Sequence, residues 1–466
     1  MPAPRPPNRL LALLYLLLAL PLCLRIALLT PPLQAADEAE HVMRAAQIGR
    51  GGFIARRAPD GEVGGVLPLS LARLRDSFYA LRFRPVAPVG SSLRREAASL
   101  AWGGRRGFLS FANTALYPPV FYLPASAALD AGRWLHLRLV PSLALARLFD
   151  ASLACLIASA CILFAGAAPA LLAALLALPM TLSLFASCSQ DAMLIAASAL
   201  LAAWLGRQPD GQAIAGRARA AGSRAGFLAA GVLVGCLGAA RPPYLVLALL
   251  LPLASPPRAR RWALGGLCCA GGIALLWIVV GAGPCLTPTR AGGSLLGGAQ
   301  MGFLLHHPLA PLHIAWRTLL SEGPTLLRET LGVLDWLDVP LPASAYGLII
   351  LIIAALVALQ ATAGLRRTAL PVMAVLLASA ALIFGLQYLS WSPAGSPVVE
   401  GVQGRYFIPL LLAATTLLPG SALRPGSAGR LADRASAGLL VLLLALDWHF
   451  VPSAIAAHYA LAATPP

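Results

Sequence analysis

The sequence predicts an all-α polytopic membrane protein with about 11 transmembrane helices and a large first extracytoplasmic loop. Three observations carry this. Of 466 residues, 59% are apolar and only 11% charged, with a mean hydropathy of +0.77; a soluble globular protein carries roughly a quarter charged residues, so a soluble enzyme is excluded. The apolar residues gather into runs approaching the ~20 that a helix needs to cross a bilayer core. Short strips of arginine separate the runs, and lysine is absent. A net charge of +17 would ordinarily suggest nucleic acid, but basic strips between apolar runs are how a polytopic protein fixes its orientation. No nucleic-acid partner is expected.

Eleven runs bounded by arginine, proline or glycine lie near 10–30, 138–162, 167–186, 190–206, 226–240, 243–254, 263–282, 346–363, 369–389, 405–418 and 436–452. The first follows Arg5 and Arg9 as a signal peptide would, but it is long for a signal h-region, so an uncleaved anchor is expected. Residues 1–466 read as one integral membrane domain. With the N-terminus inside, the loops holding Arg207, Arg217, Arg219 and Arg224, then Arg258, Arg260 and Arg261, then Arg366 and Arg367, then Arg424, Arg430 and Arg434 all fall in the cytoplasm. Only Asp210 and Asp433 interrupt them. This holds only if Arg241-Pro242-Pro243 folds 226–254 into a short hairpin, since a single helix would place the strips at 207–224 and 258–261 on opposite sides. The arms, about 15 to 22 Å long as α-helices, are too short to cross alone and need burial by neighbours; broken helices of this kind commonly line intramembrane sites.

The outer side then receives the first extracytoplasmic loop, 31–137 with juxtamembrane helices, a second loop at 283–345, the turns at 187–190 and 241–242, the loop 390–404 and the C-terminal tail. Both long segments exceed simple connections. No internal repeat of the kind seen in inverted-repeat transporters is present.

Polar residues cluster where these loops meet the spans. Asp37-Glu38-Ala39-Glu40-His41, then Arg44 and Gln47, follow the first run. Asp37 and Glu40 form a capping-box pattern for a helix over 38–48, which leaves Glu38 and His41 unexplained; Asp37, His41 and Arg44 share one helix face. A carboxylate beside a histidine at a membrane surface accepts a proton from a hydroxyl, or holds a divalent cation with phosphate. Tyr117-Pro118-Pro119-Val120-Phe121-Tyr122-Leu123-Pro124 bars a regular helix; its tyrosines suit headgroup anchoring or a wall for a sugar. Ser187 or Ser189 is a cap for a helix beginning at Asp191, an acid that the helix dipole favours and that also sits at the membrane edge. Arg241-Pro242-Pro243-Tyr244 and Gln403-Gly404-Arg405-Tyr406 place cations on the side that the positive-inside bias disfavours. Each is either a snorkelling anchor or a guanidinium matched to phosphate.

Weaker signals remain. Asp335-Trp336-Leu337-Asp338 has the composition of a sugar or metal contact and equally of interfacial polarity. His306, His307 and His313 read as interfacial loop histidines rather than metal ligands. Arg147 and Asp150 lie within 138–162 as an internal ion pair. The eight cysteines form no CxxC pair; Cys188 and Cys285, both placed outside, are expected to be free thiols. ATPase, metalloprotease and serine-esterase motifs are absent.

In this order, the acid pair with His41 and Arg44, the Tyr117-Pro118-Pro119 segment, Ser189 and Asp191, the Arg241-Pro242-Pro243-Tyr244 turn and Gly404-Arg405-Tyr406 resemble the domain-of-unknown-function 2142 family of bacterial polytopic membrane proteins, from about residue 10 to 450. Ala39 stands where the family generally has proline, and Arg241 where lysine is usual. That family is similar in layout to C-type-fold membrane glycosyltransferases, in which a large first outer loop carries the catalytic acid just after the first helix and a polyprenyl-phosphate sugar is the donor. The resemblance, an analogy at the level of fold, implies a multi-pass protein of the bacterial inner (plasma) membrane, in the cell envelope. Its N-terminus would be cytoplasmic and its C-terminus extracytoplasmic.

On that reading Asp37 or Glu38 is the catalytic base, and His41, Arg44, Tyr117, Tyr122, Asp191, Arg241, Tyr244, Gln403, Arg405 and Tyr406 bind substrate. The partners are a polyprenyl-phosphate lipid donor and a glycan, lipid or protein acceptor. A divalent cation is compatible, but the acids are too dispersed to require one, and no metal ligands are assigned. The alternatives are a flippase or exporter of a lipid-linked glycan using the same arginines without chemistry, and a non-catalytic envelope-assembly subunit. A carrier needs polar residues at mid-membrane depth, whereas those found here cluster at the outer helix ends.

Overall fold

A computed structural model describes residues 6–208, 223–287, 298–362, 364–419 and 426–461. Of the arginines used to orient the chain, Arg5, Arg217, Arg219 and Arg424 lie outside these residues, as does Asp210.

Every apolar run becomes helix, but the runs are not equivalent spans. Six helices among the described residues are long and apolar enough to cross a membrane: Pro7–Leu29, Leu139–Phe164, Pro257–Cys285, Ala343–Ala361, Ala369–Ser390 and Gly429–His458. A seventh results if Pro179–Phe185 and Gln190–Leu205, bent by 119° at their junction, count together. Of the about 11 transmembrane helices expected, six or seven among the described residues have the length and composition of a full span, and Arg224–Ala240, Pro242–Leu253 and Gly404–Leu417 are shorter apolar helices. Proline explains much of the difference. Pro179 biases Leu178 out of the helical region (ψ 139), so the run 167–186 breaks into Pro169–Leu176 and Pro179–Phe185.

The hairpin expectation holds, with a change of geometry. Arg224–Ala240 is α-helical, and the returning arm is a 3₁₀ helix, Pro242–Leu249, followed by one α turn, Leu250–Leu253. A 3₁₀ helix rises about 2.0 Å per residue instead of 1.5 Å, so this winding stretches the short arm to about 22 Å. At its base the guanidiniums of Arg224 and Arg261 both lie over Trp262, 4.6 and 4.8 Å from ring centroids, which puts the two arginine strips at the same end. Helix 224–240 packs tightly on Arg260–Trp277: a Cβ on Gly231 would stand 2.3 Å from the Gly266 carbonyl oxygen. Close packing through small residues is the usual device between membrane helices.

The same end collects the other arginine-bearing loops. Arg366 donates to the carbonyls of Gly206 (3.4 Å) and Gln208 (2.6 Å), and its backbone N–H to Leu417. Asn8, at the start of the first helix, donates to Ala165. The first helix is integral to the bundle: the Tyr15 hydroxyl donates to the Leu176 carbonyl, and the Trp448 indole N–H of the last helix to Leu18.

At the opposite end the two long segments build a cap. The first contributes the helix Glu38–Ile48, an antiparallel sheet of β1 (Arg56–Arg57), β2 (Val63–Pro68) and β3 (Arg106–Ser110), and the helices Leu69–Tyr79, Ser91–Ser99 and Leu123–Trp134. Helix 123–134 ends in the exposed Trp134 and Leu135 just before the span at Leu139, a composition suited to the membrane–water interface. The second segment contributes the helices Gly298–His306 and Ala310–Gly332 and a short ladder of Val333–Leu334 with Val339–Pro340. Helix 310–332 carries Arg317, Glu322, Arg328 and Glu329 on one side and exposed Leu312, Trp316, Leu319, Leu320 and Leu327 along another, the pattern of a helix lying in an interface.

Candidate functional site

At the capped end, four segments distant in sequence deliver their charged residues to one cluster. Arg405 donates from Nη2 to Asp37 Oδ2 at 2.7 Å and from Nη1 to Asp191 Oδ2 at 3.3 Å. Arg241 donates from Nη2 to Asp191 Oδ1 at 3.0 Å. The side chains of Arg405, Asp191 and Arg241 are 3%, 5% and 14% exposed, whereas Asp37 is 30% exposed and forms the open side. Two carboxylates balance two guanidiniums, so the resting cluster is neutral.

Each residue is placed by local structure that its sequence prescribes. Asp37 precedes the helix Glu38–Ile48 in a left-handed conformation (φ 56°) and makes no side-chain cap; aspartate tolerates this region better than most residues. The capping-box expectation is thus corrected: the Asp37 carboxylate that would have capped the helix reaches out to Arg405. Ser189 is the cap predicted for the next helix, accepting from the Asp191 N–H at 3.3 Å. Arg241 terminates helix 224–240 because two prolines follow it. Arg405 sits in a 3₁₀ turn, Gly404–Phe407, pinned by Thr330 donating to the Gly404 carbonyl (3.0 Å) and by Glu329 accepting from the Gly404 N–H (2.7 Å). Only glycine fits there, since a Cβ would fall 2.3 Å from the Thr330 nitrogen.

Aromatic residues line the cluster. The Arg241 guanidinium lies over the Tyr406 ring at 4.2 Å, and Tyr244 donates its hydroxyl to the Tyr406 carbonyl at 2.8 Å. Gln403 accepts from Arg405 Nε at 2.7 Å. His41 stacks on Tyr117 (6.1 Å, 14°) and shares a 2.6 Å hydrogen bond between Nδ1 and the Tyr122 hydroxyl. Tyr122 is fully buried while Val120 and Leu123 are exposed; the segment forms a 3₁₀ turn, Pro119–Tyr122, leading into a helix.

The electrostatics follow from burial and pairing. Burial works to raise the Asp37 pKa, but Arg405 and His41 outweigh it and hold the carboxyl below its ordinary value. Burial drives the His41 imidazole down to about 4, against the pull of Asp191 and Asp37, so His41 is neutral at pH 7. Burial pushes the Tyr117 phenol up to about 12, against Arg241.

Two predicted residues lie elsewhere. Glu38 is fully buried and turned away from Asp37's partners: both its oxygens accept from Arg147, with Nε at 2.7 Å, and Oε1 also accepts the Cys188 N–H at 2.9 Å. Arg147 spends its remaining donors on the carbonyls of Ala27, Thr30 and Pro31 at the end of the first helix. The expected Arg147–Asp150 pair is thereby corrected: all five guanidinium N–H groups are taken, and neither buried Asp150 oxygen has a hydrogen-bond partner among the described residues. Both Glu38 oxygens are thus engaged by Arg147 and the Cys188 N–H, apart from the Asp37 cluster. Arg44, also fully buried, tethers the loop beyond its helix through Gln47 (2.6 Å) and the carbonyls of Gly52, Phe53 and Tyr117, so it has no free face for substrate.

Of the weaker signals, Asp335 is buried and accepts from the Tyr459 hydroxyl at 2.9 Å, while Asp338 accepts the Phe83 N–H at 2.8 Å. That motif clamps the last helix to the first loop. His306 bonds its own helix at Gly302, and His307 packs on Phe303. All eight cysteines are free thiols; Cys188 lies against Glu38 and Cys285 against the Ala55 carbonyl. Among the described residues no group of three or more histidine, cysteine or acidic side chains is placed to hold a metal.

Sequence reasoning missed three contributors. Glu329 sets the Gly404 turn, Arg147 seals Glu38, and Gln190, next to Asp191, is fully buried with neither side-chain polar atom partnered among the described residues. Gln190 was legible only as part of the Ser187-to-Asp191 turn.

The family model described as predicted membrane protein (DUF2142) matches residues 20–414, from within the first spanning helix to just past the Arg405 turn. No curated protein and no solved structure matches the chain.

Proposed function

Because the chain belongs to the DUF2142 family of predicted membrane proteins, we propose a function from the site itself: a membrane glycosyltransferase that moves a sugar from a polyprenyl-phosphate donor to an acceptor on the outer face of the inner membrane. The observation that carries this reading is the convergence of Asp37, Asp191, Arg241 and Arg405 on one cluster at the ends of membrane helices. By the positive-inside rule, the end bearing Arg207, Arg224, Arg258, Arg261 and Arg366 is cytoplasmic, which puts the cluster outside.

In the resting state Asp37 is ionised but committed to Arg405. A lipid phosphate competes for the same donors, and guanidinium matches phosphate as well as carboxylate. When the donor's phosphate takes Arg405, with Arg241 beside it, Asp37 is released, its pKa rises toward the ordinary carboxylate range, and it becomes a better base. The acceptor hydroxyl then attacks the anomeric carbon as its proton passes to Asp37. The bond between that carbon and the phosphate oxygen breaks, the electron pair leaves with the phosphate, and the anomeric configuration inverts. The two arginines stabilise the charge that grows on the leaving group. Tyr117, partly exposed, forms a wall for the sugar, and neutral His41 and Tyr122 pack behind it.

The test uses purified protein in liposomes with a radiolabelled polyprenyl-phosphate sugar and a glycan acceptor. Release of free polyprenyl phosphate that is lost in Asp37→Asn and Arg405→Gln supports transfer. Translocation of the intact donor, indifferent to Asp37→Asn, replaces the enzyme with a carrier.

A further inference from the structure

Away from the ion cluster, a cavity of about 660 Å³ opens between the end of the first spanning helix and the start of the second. Its walls are mostly apolar, among them Leu28, Pro32, Phe78, Val140 and Ala144. Arg147 reaches it from inside, but all of its donors are spent on Glu38 and backbone carbonyls. The interior therefore offers the aliphatic stem of Arg147 and, from Thr30, one buried hydroxyl against otherwise apolar walls, an environment for hydrocarbon. The wall is different at the cap. Arg94 lines the cavity, is exposed, and has no acidic partner among the described residues. Arg138, also exposed, donates to the carbonyls of Ala98 (3.3 Å) and Ser99 (2.8 Å), and Ala98 is part of the cavity wall.

We propose that this cavity holds one hydrocarbon chain of an anionic glycerophospholipid of the bilayer, with the lipid phosphate between Arg94 and Arg138. Two walls are membrane-spanning helices, so the occupant enters from the hydrocarbon. Arg94 and Arg138, neither with an acidic partner among the described residues, set its headgroup charge at the capped end. None of Asp37, Asp191, Arg241 and Arg405 lines this cavity, so the bound lipid wedges the first two spans and is not the transferred donor. The inference does not rest on the glycosyltransferase reading.

The experiment reconstitutes the full chain in nanodiscs containing phosphatidylglycerol with a diazirine in the part of one acyl chain nearest the glycerol, followed by peptide mapping. Cross-links are expected on Leu28–Pro32 and Val140–Ala144, with about a 30-fold preference for competition by phosphatidylglycerol over phosphatidylcholine, the effect of two interfacial cations. Arg94→Gln with Arg138→Gln, both exposed and compatible with folding, should remove the preference while leaving the cross-links. Ala144→Trp should remove the cross-links from these two segments and leave those on the spanning helix Ala343–Ala361. Labelling spread evenly over all spanning helices and insensitive to Ala144→Trp overturns the site. Stronger competition by polyprenyl phosphate than by phosphatidylglycerol overturns the assignment of its occupant.

Discussion

Substituting Asp37 by asparagine separates binding from chemistry. The wild-type carboxylate sits 2.7 Å from Arg405 Nη2 and is 30% exposed, while Arg405 keeps Asp191 and Gln403 as partners. The lost attraction lies between the ~1 kcal/mol of a water-exposed pair and the ~4 kcal/mol of a pair near a protein surface at contact distance; solvent at Asp37 puts it toward the low end, about 1 to 2 kcal/mol. In the wild type, an arriving phosphate must displace that carboxylate and lose the same amount. Asp37→Asn removes the competitor, the cluster passes from neutral to a charge of about +1, and polyprenyl phosphate should bind about 5 to 30 times more tightly while turnover disappears. Titration of a short-chain polyprenyl phosphate into purified wild type and variant, at two salt concentrations, measures this. Affinity that is unchanged or weaker in Asp37→Asn would refute competition for Arg405, and with it the release step assigned to Asp37.

The neighbouring acid should behave in the opposite way. Glu38→Gln breaks a fully buried pair with Arg147, which typically costs about 3 to 5 kcal/mol, so a lower thermal midpoint in detergent is expected, with little change in phosphate affinity for the fraction that stays folded. Gly404→Ala forces backbone against helix 310–332 and should weaken phosphate binding by displacing Arg405, checked by the same titration. Asp335 has its pKa raised by burial to about 7. From pH 4 to 7 the unfolded chain therefore loses this proton before the folded one, and stability falls as pH rises, by up to about 4 kcal/mol; Asp335→Asn should flatten midpoint-versus-pH curves over that window. Finally, cysteines introduced at positions 60 and 395 in a Cys268→Ser background should react with an impermeant thiol reagent in intact cells, and those at 215 and 428 should not; the reverse pattern would invert the membrane orientation.

How much of this was legible follows from which interactions are local. Apolar runs and arginine strips located every helix of the bundle, because burial in lipid and positive-inside charge act segment by segment. The number of full spans was not legible: Pro179 breaks one run, and the winding of Pro242–Leu249 into 3₁₀ geometry depends on neighbours such as Ser379, which donates to the Pro243 carbonyl at 2.8 Å. At the site, residue type and position at helix ends were enough to nominate Asp37, Asp191, Arg241 and Arg405. Their pairing was not, since Asp37 and Arg405 are separated by 368 positions. Arg147 shows the same limit. Spacing favoured Asp150 three residues on, but the guanidinium geometry is satisfied by Glu38 together with three carbonyls from the end of another helix.

The acid pair shows why adjacent residues of like charge need not share a task. Successive side chains around a helix point about 100° apart, and the left-handed Asp37 turns the chain further just before the helix begins. One carboxylate therefore faces the open cluster and the other the bundle interior. Each position suits its fate. Glu38, with Arg147, ties the end of the first helix to the second span and to the Cys188 turn that precedes Asp191. That tie fixes the two elements between which Asp37 and Asp191 must meet Arg405. The buried pair is thus a structural condition for the exposed one, and this orders the variants. Loss of Glu38 should lower stability while the fraction that stays folded keeps the cluster, whereas loss of Asp37 should leave the fold intact and expose an unsatisfied Arg405 to phosphate. A variant set in which Glu38→Gln alone abolished activity without any change in thermal midpoint would contradict this order and return Glu38 to the role of base.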